Sequence, residues 1–124
     1  MATIRSAREL FRLYGRNLSG ADLHGEVIFG DLSGADLRGA NLQGADLSGV
    51  ILRKANLAWA NLHGANLRRA ILWEANLEGA DLGGADLTEA KLLEANLRAA
   101  YLRGVDLGTA NLIGTIMPDG SIHP

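Results

Sequence analysis

From Leu32 to Leu112 leucine falls on every fifth residue, seventeen times without a miss. Two residues before each leucine stands a small residue, nearly always alanine (Ala35, Ala40, Ala45, Ala55 and onward to Ala110), with Gly30, Val50 and Val105 as exceptions. The residue just before it is usually Asp or Asn. A period of five matches neither the 3.6 of an amphipathic helix nor the 2.0 of a half-buried strand. Strict self-similarity of this kind marks a stacked architecture, in which each unit buries its apolar side chains against its neighbours. If Leu and Ala point inward and the other three positions outward, the chain must turn once per quintet. Glycine two places after the leucine, as at Gly34, Gly39, Gly44 and Gly49, suits such turning.

Periodicity alone leaves open how many quintets close one coil, and a slower pattern answers. The Asp/Asn position is broken by Ile51, Ile71 and Lys91, 20 residues apart, and the position two later reads Arg53, Trp73, Leu93, Ile113. Four quintets per coil put these in one column. Three per coil scatter them, pairing Ile51 with Asn66 and Ile71 with Asp86.

With its Ala, Asp or Asn, Leu and two variable residues, the stretch from about Arg16 to Met117 resembles the pentapeptide repeat family. The resemblance implies an all-β solenoid, a right-handed quadrilateral β-helix of about five coils of four pentapeptides, with Leu and Ala stacked inside. On this reading residues 16–117 form the β-helix, 1–15 an N-terminal capping helix and 118–124 a C-terminal turn and tail.

The ends depart from the repeat. Ser6 followed by Glu9 is a capping-box pattern, and Ile4, Ala7, Leu10, Phe11 and Tyr14 recur at helical spacing, so a short helix ending near Gly15 is predicted to cover one end of the stack. Leu13, Leu18 and Leu23 already keep the five-residue step, which blurs that boundary. From Leu23 to Leu32 the count is nine, so the repeat lacks one residue between His24 and Asp31, and Val27 is the expected intervening core residue. Met117 takes a leucine position, and Pro118-Asp119-Gly120 signals a turn after which Ile122 is expected to fold back.

Composition narrows the function classes. Among 124 residues are 12 basic and 14 acidic ones, a net charge of −2, which gives no general pull toward nucleic acid or an anionic membrane. The basic end made by Arg5, Arg8, Arg12 and Arg16 reads as a solvated helix face, so no direct nucleic-acid partner is expected. Without cysteine there are no disulfides, thiol catalysis or cysteine metal sites. No apolar run approaches the roughly 20 residues of a membrane span, and the first residues lack an apolar signal core, so a cytoplasmic protein with no membrane partner is expected. His24 and His63 fall on one column two coils apart, about 10 Å, too far to share a zinc ion. The carboxylates recur along flat walls that offer no cleft to shift a pKa. No phosphate-loop, dinucleotide or nucleophile-elbow motif occurs. The expectation is a non-enzymatic protein with no cofactor and no metal.

What remains is surface. The column of Ile51, Arg53, Ile71, Trp73, Lys91, Leu93 and Ile113 is the one apolar face, with the composition of a protein-binding or self-association surface. Against this stands simple cross-strand packing of β-branched residues. Trp59 and Tyr101 fall on other columns as isolated aromatics. A second column is acidic, with Glu26, Asp46, Asp86, Glu89 and Asp106 against Arg68 and Arg69. The resemblance suggests a use for it, because some family members mimic duplex DNA and bind DNA gyrase. The net charge of −2 and the turn at Pro118 to Gly120 weigh against gyrase here. The first reading is therefore a scaffold or interaction module. Its alternatives are a DNA mimic acting on gyrase and a structural rod without a specific partner.

Overall fold

A computed structural model describes residues 3–124 of the chain. From Leu32 to Leu112 the quintets follow one path, apart from that of Leu107. After each leucine the chain turns, and the turn closes with a hydrogen bond such as that from the Ala35 N–H to the Leu32 carbonyl at 3.0 Å. The third residue of the turn has a left-handed backbone, φ 72° at Gly34, which is the signature of a type II turn. Glycine takes that conformation freely, yet Lys54, Trp59, Arg69, Glu74, Glu89, Glu94 and Ala99 take it with φ between 56° and 62°.

The Asp or Asn before the leucine has a definite task. Its Oδ1 accepts the backbone N–H two residues on, from Asn17 to Ser19 (3.1 Å), Asp31 to Ser33 (2.9 Å), Asn66 to Arg68 (3.0 Å) and Asn111 to Ile113 (3.1 Å), among others. Short polar side chains satisfy a turn N–H in this way where longer ones cannot reach.

Successive coils join through single parallel bridges, which form four ladders. The first side runs Asp31, Ile51, Ile71, Lys91, Asn111, each 20 residues from the next. The second runs Asn17, Asp36, Asn56, Asn76, Asn96, Ile116, the third Asp22, Asn41, Asn61, Asp81, Tyr101, and the fourth Val27, Asp46, Asn66, Asp86. Leucines from Leu32 to Leu97 and the alanines between them are sealed inside in one continuous core. Burying each leucine contributes about 1.5 to 3 kcal/mol.

The first bridges on sides two to four span 19 residues, and this locates the missing position. Ile28, not Val27, continues the core: Ile28 is buried, whereas Val27 is half-buried at the bridging position. The lost residue falls in the turn after Phe29, which is one residue short and is made by Gly30, itself left-handed at φ 103°. Gly30 also acts as the small residue before Asp31, its carbonyl accepting the Ile51 N–H at 3.0 Å. The shift coincides with pairing to a strand that has no counterpart in the repeat. β1 (Ile4–Ser6) pairs in parallel with β2 (Val27–Phe29), Arg5 opposite Ile28, and the Arg5 Nε donates to Glu26 at 2.6 Å.

From β1 the chain enters α1 (Ala7–Tyr14). Ser6 is its N-cap, accepting the Glu9 N–H at 3.0 Å, and Gly15 closes it with φ 66°. Ala7 and Leu10 are buried over the first coil and Phe11 partly so, whereas Ile4, Leu13 and Tyr14 face outward. Leu13 therefore belongs to the helix surface and not to the leucine ladder.

At the far end the tail forms a hairpin: Ile116 bridges Ile122 in antiparallel, the Met117 N–H donates to Ser121 at 2.7 Å, and the Gly120 N–H returns to Met117 at 2.8 Å. The tail folds back, yet Ile122 is 69% exposed, so backbone pairing and not apolar burial holds it. Thr115 takes an alanine position there; it is fully buried and its hydroxyl donates to the Leu92 carbonyl at 2.6 Å. On the fourth side no bridge joins Asp86 to Asp106, and Leu102, Val105 and Leu107 are only partly covered.

Candidate functional site

The first side gathers all seven residues of the apolar column. Ile51, Ile71 and Lys91 are successive members of its bridge ladder, the two isoleucines half-buried against one another and the lysine exposed. Arg53, Trp73, Leu93 and Ile113 form the row beside them. That row is held in register by the N–H of the residue after each, Lys54 to the Trp73 carbonyl, Glu74 to Leu93 and Glu94 to Ile113, all at 2.9 Å. The Arg53 guanidinium stands 5.0 Å from the centroid of the Trp73 ring, a cation–π contact. Trp73 and Leu93 are half-buried within the row, and Ile113 is 57% exposed at its end. Lys54, Glu74 and Glu94 rim the face.

On three consecutive coils this face lacks a bond that most of the repeat makes; on the other sides only Val27, Tyr101 and Ile116 replace the acceptor among the described residues. With Ile51, Ile71 and Lys91 in place of Asp or Asn, the backbone N–H groups of Arg53, Trp73 and Leu93 have no side-chain acceptor. A turn hydrogen bond contributes about 0.5 to 1.5 kcal/mol. Three consecutive coils forgo it on one side, while Asp31 above and Asn111 below retain it.

Elsewhere charge is largely matched locally. On the fourth side Arg68 lies 3.2 Å from Asp86 and Arg69 3.5 Å from Glu89, which interrupts the acidic column. On the third side Asp22 and His24 meet at 2.7 Å; this hydrogen bond raises the imidazole pKa and lowers that of the carboxyl. His63 lies 3.8 Å from Asp81, in a notch left by Gly83 that a Cβ would fill. Trp59, 67% exposed, lies flat over Gly79, where an added Cβ would meet its ring at 2.3 Å. Among the described residues no group of three or more His, Cys, Asp or Glu is placed to hold a metal, and no helix is long and apolar enough to cross a membrane.

Sequence reasoning missed one concavity. A cavity of about 450 Å³ lies between α1 and the first coil, with Phe11 and Phe29 among its lining residues. Its one trace in the sequence is the nine-residue step from Leu23 to Leu32, because the cavity opens where the turn residue is missing.

The profile of pentapeptide repeats matches in 8 copies over residues 31–69, 60–92 and 80–118. Among solved structures the chain is similar to HetL, a pentapeptide repeat protein involved in heterocyst differentiation regulation from the cyanobacterium Nostoc, with 42% identity and a TM-score of 0.73. That match covers 86% of this chain and 53% of HetL, so the chain spans about half the length of that relative. It is similar to a pentapeptide repeat protein of the cyanobacterium Cyanothece, with 33% identity, a TM-score of 0.61, and 94% and 98% of the two chains covered. A pentapeptide repeat protein of the Arabidopsis thaliana thylakoid lumen shares 29% identity with a TM-score of 0.53, over 87% of this chain and 70% of that one. No curated protein sequence matches. These likenesses identify the fold as a solenoid of the right-handed β-helix type.

Proposed function

The chain belongs to the pentapeptide repeat family, and on that premise we propose that it is a non-enzymatic interaction module whose first side receives a protein partner or a second copy of the chain. Proteins of this family are generally structural and interaction modules, and HetL, the relative at 42% identity, is involved in a regulatory process. The shape that goes with this reading is a quadrilateral rod of about five coils of four pentapeptides, about 25 Å long at strand spacing, closed at one end by α1.

The observation that carries the reading is the forgone turn bond at Ile51, Ile71 and Lys91. A repeat selected only for stability would keep Asp or Asn there, as the second side does from Asn17 to Asn96 and the third from Asp22 to Asp81. Packing between the isoleucines offsets part of the loss. It does not account for Trp73 and Leu93 in the adjoining row, where the neighbouring sides carry Arg38, Ala58, Glu78 and Arg98 or Ser48, Arg68, Thr88 and Gly108 at the equivalent place. An aromatic anchor, aliphatic neighbours and a charged rim form a binding surface of the hot-spot type. DNA mimicry fits less well, since Arg68 and Arg69 neutralise the middle of the acidic column.

Two variants test the proposal. Ile71→Asn restores the turn acceptor and is expected to leave the melting temperature equal or higher. Trp73→Ser combined with Leu93→Glu removes the anchors. Each is expected to weaken self-association in sedimentation equilibrium, or capture of a partner from cells of the native organism. Unchanged solution mass and unchanged capture in both variants overturn the proposal and leave a structural rod.

A further inference from the structure

The cavity between α1 and the first coil is built by two accidents of the sequence acting together. In later coils the corner between the fourth and first sides carries a turn residue, Gly49, Arg69 or Glu89. In the first coil that residue is absent, and Gly30 lies so close beneath the helix that a Cβ there would meet the Ala7 Cβ at 3.4 Å. The gap is floored by the rings of Phe11, partly buried, and Phe29, 51% exposed. Arg16 fixes one wall, its guanidinium 4.4 Å from the Phe11 ring centroid and its Nη1 donating to the Ser33 carbonyl at 2.8 Å.

Two shallower depressions adjoin this cavity. One of about 350 Å³ shares Ser6 and Arg8 with it and adds Arg12; another of about 530 Å³ shares Arg16, Asp31 and Ser33 and adds Arg53 and Lys54. The resulting track carries five cations (Arg8, Arg12, Arg16, Arg53, Lys54) against two carboxylates (Glu9 and Asp31). It is therefore +3 on a chain of net −2, and the remainder carries −5. Among the described residues none of the five cations makes an ion pair, whereas Arg5, Arg38, Arg68 and Arg69 each have an acidic partner. An apolar slot lined by unpaired cations is the complement of an apolar side chain within an acidic polypeptide.

We propose that this track docks an acidic segment of a partner protein, one apolar side chain entering between Phe11 and Phe29 while flanking carboxylates meet Arg8, Arg16, Arg53 and Lys54. A polypeptide fits better than a nucleic acid. The Asp31 carboxylate sits midway along the track, where a phosphate backbone would meet it in like-charge repulsion, whereas a peptide N–H can donate to it. Apart from the rim residue Lys54, the track shares only Arg53 with the Trp73 face, which lies farther along the same side.

The probe is a fluorescent peptide of Glu and Asp with one central Phe, its binding followed by anisotropy. Comparators are the same peptide with Ser for Phe, a lysine counterpart and an oligothymidylate of equal length. The chain is expected to bind the Phe peptide in preference to all three, more weakly as salt rises. Arg8→Glu and Phe29→Ser, both at exposed positions, are each expected to weaken it about tenfold or more with the melting temperature retained. Leu93→Ser, which leaves Arg53 and its contact with Trp73 in place, is expected to leave it unchanged, so the track and the apolar face succeed or fail separately. No binding, equal binding of the Ser peptide, indifference to both substitutions, or tighter binding of the oligothymidylate would overturn the proposal.

Discussion

The position before each leucine decides how the molecule responds to acid. Asp36 is held below the ordinary carboxylate pKa first by the Arg38 guanidinium, Asp86 by the Thr88 hydroxyl and N–H and by Arg68, and Asp31 by the Ser33 hydroxyl and N–H. A carboxyl whose folded pKa is depressed adds stability above its unfolded value and loses it as pH falls through the folded one. The melting temperature is therefore expected to hold from neutral pH down to about 4 and to decline below it, measured by circular dichroism in a pH series. Asp86→Asn keeps the turn acceptor but removes the titration, so its acid decline is expected to be shallower than that of the parent chain. An equal decline would show that the carboxyl's partners do not stabilise the fold. The same position explains why the repeat is so legible. Leucine, alanine and the Asp/Asn acceptor each do one job per quintet, so sequence and structure correspond residue by residue. The row of Ile51, Ile71 and Lys91 stands out because the job is left undone.

Elements that break the repeat were harder to read. β1 has only three residues and no periodicity, so nothing in Ile4-Arg5-Ser6 announces a strand; its pairing with β2 is long-range. That pairing also decides which of two adjacent β-branched residues faces the core, a choice that Val27 and Ile28 leave open in the sequence. The helix was readable because Ser6, Glu9 and Gly15 are local signals. The cleft beneath it was not, since it needs both the helix docked and the missing turn residue placed. Core elements differ in weight along the stack. Leu72, sealed between coils, is expected to cost about 2 to 5 kcal/mol on replacement by alanine. Leu107, on the side where Asp106 forms no bridge, is expected to cost clearly less. Chemical denaturation of both variants measures this, and equal losses would mean that the last coil is as tightly closed as the middle ones.

For the molecule as a whole, the 20-residue ladder acts as a counting device. Removing residues 61–80 joins Ala60 to Asp81, keeps the repeat in phase and returns every later residue to its own side. Removing 61–65 joins Ala60 to Asn66 and also keeps the phase, but it turns everything after the junction by one side, so that Ile51 bridges Asn76. Both are expected to yield folded, cooperatively melting proteins. In the second the apolar column is cut in two and the binding of the first side lost, while the acidic-peptide track at the helix end persists. Failure of the shorter deletion to fold would mean that side identity matters to the core as well as to the surface. A lineage built this way can lengthen by duplicating blocks without inventing a new core. Only insertions in multiples of four quintets, however, hand an existing binding face down intact; any other number deals its residues onto different walls, and so offers selection a new surface from unchanged parts.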